Sequence, residues 1–285
     1  MEIEITIPQK YFGIRVGTKK YRRSIPGAWP LILDGKRRLT FVRYLALLPQ
    51  DKAMTCIVRD ILDIPKRQFA RLDPADIAAI TTRLEWMNLP STQPVLSKFQ
   101  HKGTVYAMPK ADFVGGTAYE FAQADDYYTE WIENPQSHHD LLRLVATLTR
   151  TYSTKNSKKT GDARTPLPTN PKEAEHDIEV RALQLLEADI AVIVAVLRYF
   201  EGLKKDVHEY GTASGIFPKI KENDPTPPTQ SLFGWWTAFR NVAKSQNKTE
   251  EQVWAMSLWR VLAIMIEEKT KADALEKRTE AQSEK

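Results

Sequence analysis

The sequence predicts a mostly helical α+β protein: about seven helices, a short N-terminal strand element and one β-hairpin. Three observations predict it. Apolar residues recur at spacings of three and four through most of the chain, the helical period. Helix-start signals stand at Asp73-Pro74, Thr117-x-x-Glu120 and Thr249-x-x-Gln252. Strand signals are confined to the period-two alternation of Glu2–Ile7 and to two short apolar runs flanking a Gly-containing loop at Gln100–Gly103.

Glu2–Ile7 alternates polar and apolar residues and reads as a half-exposed strand, with Tyr11–Val16 as its partner. Lys19, Lys20, Arg22 and Arg23 surround Tyr21 and read as a solvated basic loop. Ile25–Pro30 is turn chemistry. Leu39–Leu48 and Ala53–Leu62 are predicted helices, stopped at Pro49 and at Ile64-Pro65. Asp73 caps the next helix with Pro74 at its first position. Ile77, Ile80, Leu84 and Met87 share one face, Trp86 lies beside it, and Leu89-Pro90 ends it.

Val95–Phe99 and Thr104–Met108 are the arms of a hairpin. Gly115-Gly116 reads as a tight turn before a helix, since it lacks the lysine and spacing of a phosphate loop. Thr117 and Glu120 form a capping box. Phe121, Ala124, Tyr128 and Trp131 then face one way. Ser137 is the next cap, followed by the stripe Leu141, Leu144, Val145 and Leu148. Residues 153–172 are polar, basic and Pro-containing, and read as an exposed linker.

Glu173–Leu203 is the longest helical candidate. Leu183, Leu186, Ile190, Ile193 and Leu197 form its stripe, which is either core or an oligomer interface, and Gly202 marks its end. Ser231–Lys244 carries Leu232, Trp235, Phe239 and Val242 on one face. Thr249 opens a last helix holding Trp254, Leu258, Val261, Leu262 and Met265. The charged tail from about Ala274 is expected to fray. Three segments follow: 1–152, the linker 153–172, and 173–285.

Composition narrows the function classes. The 285 residues are 42% hydrophobic, enough to bury a core. With 41 basic and 36 acidic residues, the net charge of +5 is far below that of a nucleic-acid arm. The single cysteine, Cys56, makes neither an internal disulfide nor a cysteine metal cluster, and its apolar surroundings predict a buried thiol. Met1–Glu4 does not read as a secretory signal and no apolar run approaches membrane-spanning length. The expectation is a soluble cytoplasmic product.

No reactive constellation emerges. His138 and His139 are adjacent and point to different sides of a helix, and no His-Glu-x-x-His motif occurs. Asp125, Asp126 and Glu130 lie opposite an apolar stripe and read as a solvated face. No Gly-x-Ser-x-Gly element is present. The expectation is a protein that is not an enzyme, with no catalytic, cofactor-binding or metal-ligating residues and no cofactor. Two sets of candidate contact residues remain. The aromatic set, Trp235, Trp236, Phe239, Trp254 and Trp259, reads as core packing or as a partner-binding face. The basic set, Lys19, Lys20, Arg22, Arg23, Lys155, Lys158 and Lys159, suits nucleic acid, although only Tyr152 offers a ring for base stacking.

Three stretches carry a resemblance: PGAWPLILDGKRRLTFVRYLALL with ILDIPKRQFARLDPADIAAITTRLEWM, FQHKGTVYAMPKADFVGGTAYEFAQADDYY with LLRLVATLTR, and SLFGWWTAFRNVAKSQNKTEEQVWAMSLWRVLAIMIEEK. In their hydrophobic spacing they resemble structural and tail-assembly proteins of tailed bacteriophages and prophages, particularly of Bacteroidetes hosts. The resemblance implies a non-enzymatic, chaperone-like or structural role in virion assembly. Its implied partners are tail or other virion proteins, the tape-measure protein among them, with self-association as a further option. Nucleic acid ranks below these, and no membrane is implied. The implied location is the host cytoplasm during assembly or the virion itself. The family offers no catalytic residues to carry over.

Overall fold

The structure, a computed structural model, describes residues 2–11, 14–24, 35–160, 162–217 and 234–283. Among them are twelve helices, a two-stranded sheet and a three-stranded antiparallel sheet. The predominantly helical α+β class therefore holds, but with twelve helices rather than about seven. The chain divides into two compact units, residues 1–96 with 189–199, and residues 97–188 with 200–285.

In the first unit, β1 (Glu2–Tyr11) and β2 (Ile14–Ser24) pair antiparallel along their length, with an irregularity at Gln9/Lys10. Lys19–Arg23 thus lie in a strand, not in the expected loop. The partner strand runs on past Val16 because all of β1 is extended, and the register sets Arg22 opposite Glu4. Ile25–Pro30 lies outside the described residues.

Helices α1 (Gly35–Leu47), α2 (Gln50–Leu62), α3 (Lys66–Phe69) and α4 (Pro74–Arg83) follow. Asp73 caps α4 by accepting from Ala75 N at 2.9 Å. The predicted single helix to Asn88 ends at Arg83, and a 3-10 turn over Glu85–Asn88 carries Met87 inward. Phe41, Val42, Ile57, Val58, Leu62, Leu84 and Met87 are fully buried. Each such side chain contributes about 1.5–3 kcal/mol by leaving water. Cys56 is only half-buried, not enclosed as expected.

Helix α9 (Ile190–Ala213) begins in this unit. Asp189 caps it, accepting from Ala191 N at 3.0 Å, and also pairs with Arg43. Arg198 donates to the Met87 carbonyl. The expected continuous helix over Glu173–Leu203 is therefore two helices, because Asp189 restarts the backbone. Of the two readings of the stripe, core does not hold for its first half: Leu183, Leu186 and Ile190 are exposed, while Ala191, Val192, Ala195, Val196 and Tyr199 are buried. Gly202 lies inside α9 rather than at its end.

In the second unit, β3 (Lys98–His101) and β4 (Thr104–Ala107) form the predicted hairpin. Lys102 (φ 45°) and Gly103 (φ 82°) both take left-handed backbone, as a two-residue primed turn requires. A third strand, β5 (Arg150–Thr151), pairs with β4 through Tyr106↔Thr151 and Ala107↔Arg150. Two residues show no alternation, so the sequence does not reveal it.

Helices α5 (Ala118–Glu133), α6 (His138–Leu148), α7 (Thr154–Thr160) and α8 (Pro171–Gln184) complete the middle of the chain, with α6 packed against both α5 and α8. Then come α10 (Gly234–Ser245), α11 (Glu250–Trp254) and α12 (Leu258–Ser283). The expected last helix breaks at Ala255–Ser257, where Met256 O accepts from Ala118 N at 2.9 Å. Its charged end stays helical to Ser283, supported by an i,i+4 pair between Lys269 and Asp273 at 3.1 Å. Among the described residues no helix is long and apolar enough to cross a membrane.

Candidate functional site

Of the aromatic residues singled out in the sequence, Trp235, Trp236, Phe239 and Trp254 gather in the second unit against α5. Both predicted capping boxes are formed. Thr117 Oγ1 accepts from Glu120 N at 3.2 Å, and Glu120 Oε2 accepts from Thr117 N at 3.0 Å. Thr249 and Gln252 repeat the arrangement at the start of α11. These caps fix the entry of α5 and α11, and α10, α11 and α12 pack on α5 around a shared core of Ala118, Ala122, Phe239, Val242, Val253 and Val261.

Phe239 has no exposed surface. It supports the cluster from inside and is removed from the candidate partner contacts. Trp235, Trp236 and Trp254 are half-buried around it. Trp235 meets Phe121 edge-on at 4.9 Å, and Trp236 meets Trp254 edge-on at 5.6 Å. Edge-to-face contacts of this kind add about 0.5–1.5 kcal/mol beyond burial.

The polar ends of the indoles are anchored. Trp235 Nε1 donates to Asp125 Oδ2 at 2.9 Å, and Trp236 Nε1 donates to Asp126 Oδ2 at 2.8 Å. Lys204 of α9 pairs with Asp125 and lies 4.5 Å from the Tyr128 ring centre. This corrects the reading of Asp125 and Asp126 as a solvated face. Their helix has a second covered side because α10 lies across it. Burial pushes the Asp126 carboxyl above its ordinary range, Trp236 pulls it back, and Asp125 adds a further upward push. Trp259 sits apart, donating from Nε1 to the Asp112 carbonyl at 2.7 Å and meeting Tyr210 edge-on at 5.9 Å.

A second constellation went unread in the sequence. Glu120, the capping residue, also accepts through Oε1 from Arg150 Nη2 at 2.6 Å and from Arg164 Nη1 at 2.9 Å. Arg164 further donates to Asp162 Oδ2 from Nη2 at 2.8 Å and to the Leu148 carbonyl from Nη1 at 3.0 Å. The four charges cancel, and all four residues are buried. Burial pulls the Arg150 guanidinium down to about 10, against the opposing pull of Glu120 and with Arg164 adding to the drop. Residues 162–164 are therefore not exposed linker. The loop turns inward because Arg164 supplies the charge that the buried Glu120 needs. Nothing in the local pattern pairs residues 44 positions apart.

The basic set is divided between the two units. Lys155 and Lys158 are exposed on α7, in the second unit. Lys19, Lys20, Arg22 and Arg23 are on β2, in the first. The Lys159 side chain, with those of Lys19, Arg22 and Arg23, lies outside the described residues. His139 pairs with Glu179 at 2.7 Å, and Arg143 donates to the same carboxylate at 2.7 Å. Among the described residues no three His, Cys, Asp or Glu side chains converge as metal ligands. The first unit has an open groove of about 630 Å³ between α2 and α4, with Met54 and Ile77 beside Asp51 and Glu85. No protein-family model, curated protein or solved structure matches this chain.

Proposed function

We propose that this chain is a non-enzymatic structural or tail-assembly protein of a tailed phage or prophage, acting through protein–protein contact. The phage assignment draws on the resemblance of the three sequence stretches. The binding mode draws on one structural observation: Trp235, Trp236 and Trp259 are half-exposed, and each indole N–H is tied to an acceptor within 2.9 Å. An aromatic surface fixed before binding loses little side-chain entropy on binding. With Trp254, these indoles are the anchors of the contact, each contributing on the order of 2 kcal/mol. Val180, Leu183 and Leu186, which are 40%, 58% and 64% exposed, are further exposed apolar side chains of this unit. The partner class is a tail or other virion protein, such as the tape-measure protein, met in the host cytoplasm during assembly.

The test is co-purification of the tagged chain expressed with the products of its neighbouring genes. Retention of a virion protein through a high-salt wash supports the reading, as does its loss in Trp259→Ala. A competing reading as a nucleic-acid accessory protein draws on the exposed Lys155 and Lys158 and on the basic strand β2. Retention of nucleic acid alone, released steeply as salt rises, would replace the assembly reading with that one.

A further inference from the structure

The groove between α2 and α4 lies wholly within the first unit and holds about 630 Å³. Its floor is apolar: Met54 is 3% exposed and Ile77 is half-buried. Along α4 the lining follows Ile77, Ala78 and Thr81 at helical spacing and continues to Glu85 in the 3-10 turn. Across from them, Asp51 precedes Met54 on α2. The lining holds these two carboxylates and no cation. Both are exposed, and among the described residues neither carboxylate is taken by an ion pair or a side-chain hydrogen bond. The partial positive charge at the α2 N-terminus, about half an elementary charge, is smaller than either of them.

We propose that this groove docks a basic amphipathic helix of another protein, with its apolar side chains on Met54 and Ile77 and its lysine or arginine heads at Asp51 and Glu85. Charge selects the sign of the occupant. The chain as a whole carries +5, so a cationic segment is drawn here by the two local carboxylates and not by the net field of the protein. The floor selects aliphatic side chains beside those cations, because the stems of lysine and arginine lie on apolar surface while their heads reach the exposed carboxylates. The shape selects a polypeptide. A small-molecule pocket encloses most of its ligand, whereas this groove is open along its length. A helix laid between two helices covers such a floor itself. The docking goes beyond the tail-assembly reading and does not rest on it, since the groove belongs to the first unit and the indoles of that reading to the second.

Methyl-labelled methionine in the full chain, after nuclease treatment, gives the test. The chain has six methionines, and the Met54 methyl resonance is the one lost in Met54→Leu. The probe is a blocked helical peptide of leucine and lysine, which is expected to shift the Met54 resonance to saturation. Asp51→Lys with Glu85→Lys is expected to weaken that binding about tenfold or more. The same double variant should gain a Met54 shift with the peptide in which glutamate replaces every lysine, and this arm shows that the reversed groove is still formed. Asp51→Asn with Glu85→Gln brings no cation to the groove and is expected to fall between wild type and the reversed variant. The proposal is overturned if the leucine–lysine peptide leaves the Met54 resonance unmoved, or binds the reversed variant as tightly as wild type. Equal binding by a lysine-only peptide would also overturn it, because the floor would then play no part. Equal binding by spermidine would replace the helix with a free amine.

Discussion

Glu120 Oε1 and Arg164 Nη1 are 2.9 Å apart, and neither side chain is more than 1% exposed. One carboxylate thus does two jobs. Its Oε2 caps α5, and its Oε1 holds two guanidinium groups that arrive from β5 and from the loop before α8. Removing one partner of a buried pair leaves the other charged without compensation, which costs about 3–5 kcal/mol. Glu120→Gln is expected to lower the urea midpoint by that amount of stability, and a change below about 1 kcal/mol would show that the network is not holding the fold.

The Asp126 carboxyl has a folded-state pKa above its ordinary value of 3.8, chiefly through burial. A group raised in this way contributes stability that is full below its unfolded value and is lost as pH rises through the folded one. Asp126→Asn keeps an oxygen for the Trp236 indole and removes the titration. Its melting temperature relative to wild type should climb as pH rises from 3.8 towards neutrality. A difference that stays flat across that range would rule out the buried charge as the cause.

Gly116 is a packing constraint. A Cβ there would come within 2.4 Å of the Phe113 ring, which is itself buried. Gly116→Ala should cost about 1–3 kcal/mol through overpacking. Gly103→Ala meets no atom within 4 Å but must hold φ +82°, so its cost is about 1–2 kcal/mol of backbone strain. Chemical denaturation of both separates the two causes when each is compared with its serine variant. At 116 the larger side chain worsens the loss, and at 103 it does not.

Tyr119, Tyr127 and Tyr128 are each pushed up to about 12, first of all by burial. Because the folded values exceed the ordinary 10, their contribution to stability is full below pH 10 and disappears as pH rises through 12. Ultraviolet titration of the ten tyrosines should therefore show a late group that ionises together with loss of helical circular dichroism. Complete ionisation near pH 10 with the helices intact would contradict the burial of these three rings.

Leu183 and Leu186 read in the sequence as core or as an oligomer interface, and they are exposed in the structure. Leu183→Lys and Leu186→Lys should each change unfolding free energy by no more than about 0.5 kcal/mol, the usual range for surface substitutions. Thermal melts decide this, and a loss of several kcal/mol would restore the stripe to the core.

What the sequence determined by itself is local. Asp73, Thr117 and Thr249 announce their helices because a cap needs only a side chain and an amide two or three residues away. The β3–β4 turn is legible for the same reason: Lys102-Gly103 supplies the backbone that the turn demands. Asp189 carries an equally local capping signal, yet the strong apolar run after it suggests a helix passing straight through. Short pieces such as β5 and α11 are too brief for periodicity to mark them. The tertiary structure alone decided which sides of α5 are covered, turning Asp125 and Asp126 from a solvated face into acceptors for Trp235 and Trp236, 110 residues away. It also drew Arg164 out of an apparent linker and into the interior beside Glu120. Sequence spacing fixes which residues share a helix face. Which face is buried depends on what packs across it, and a buried charge finds its counter-charge through space, at separations that no local pattern records.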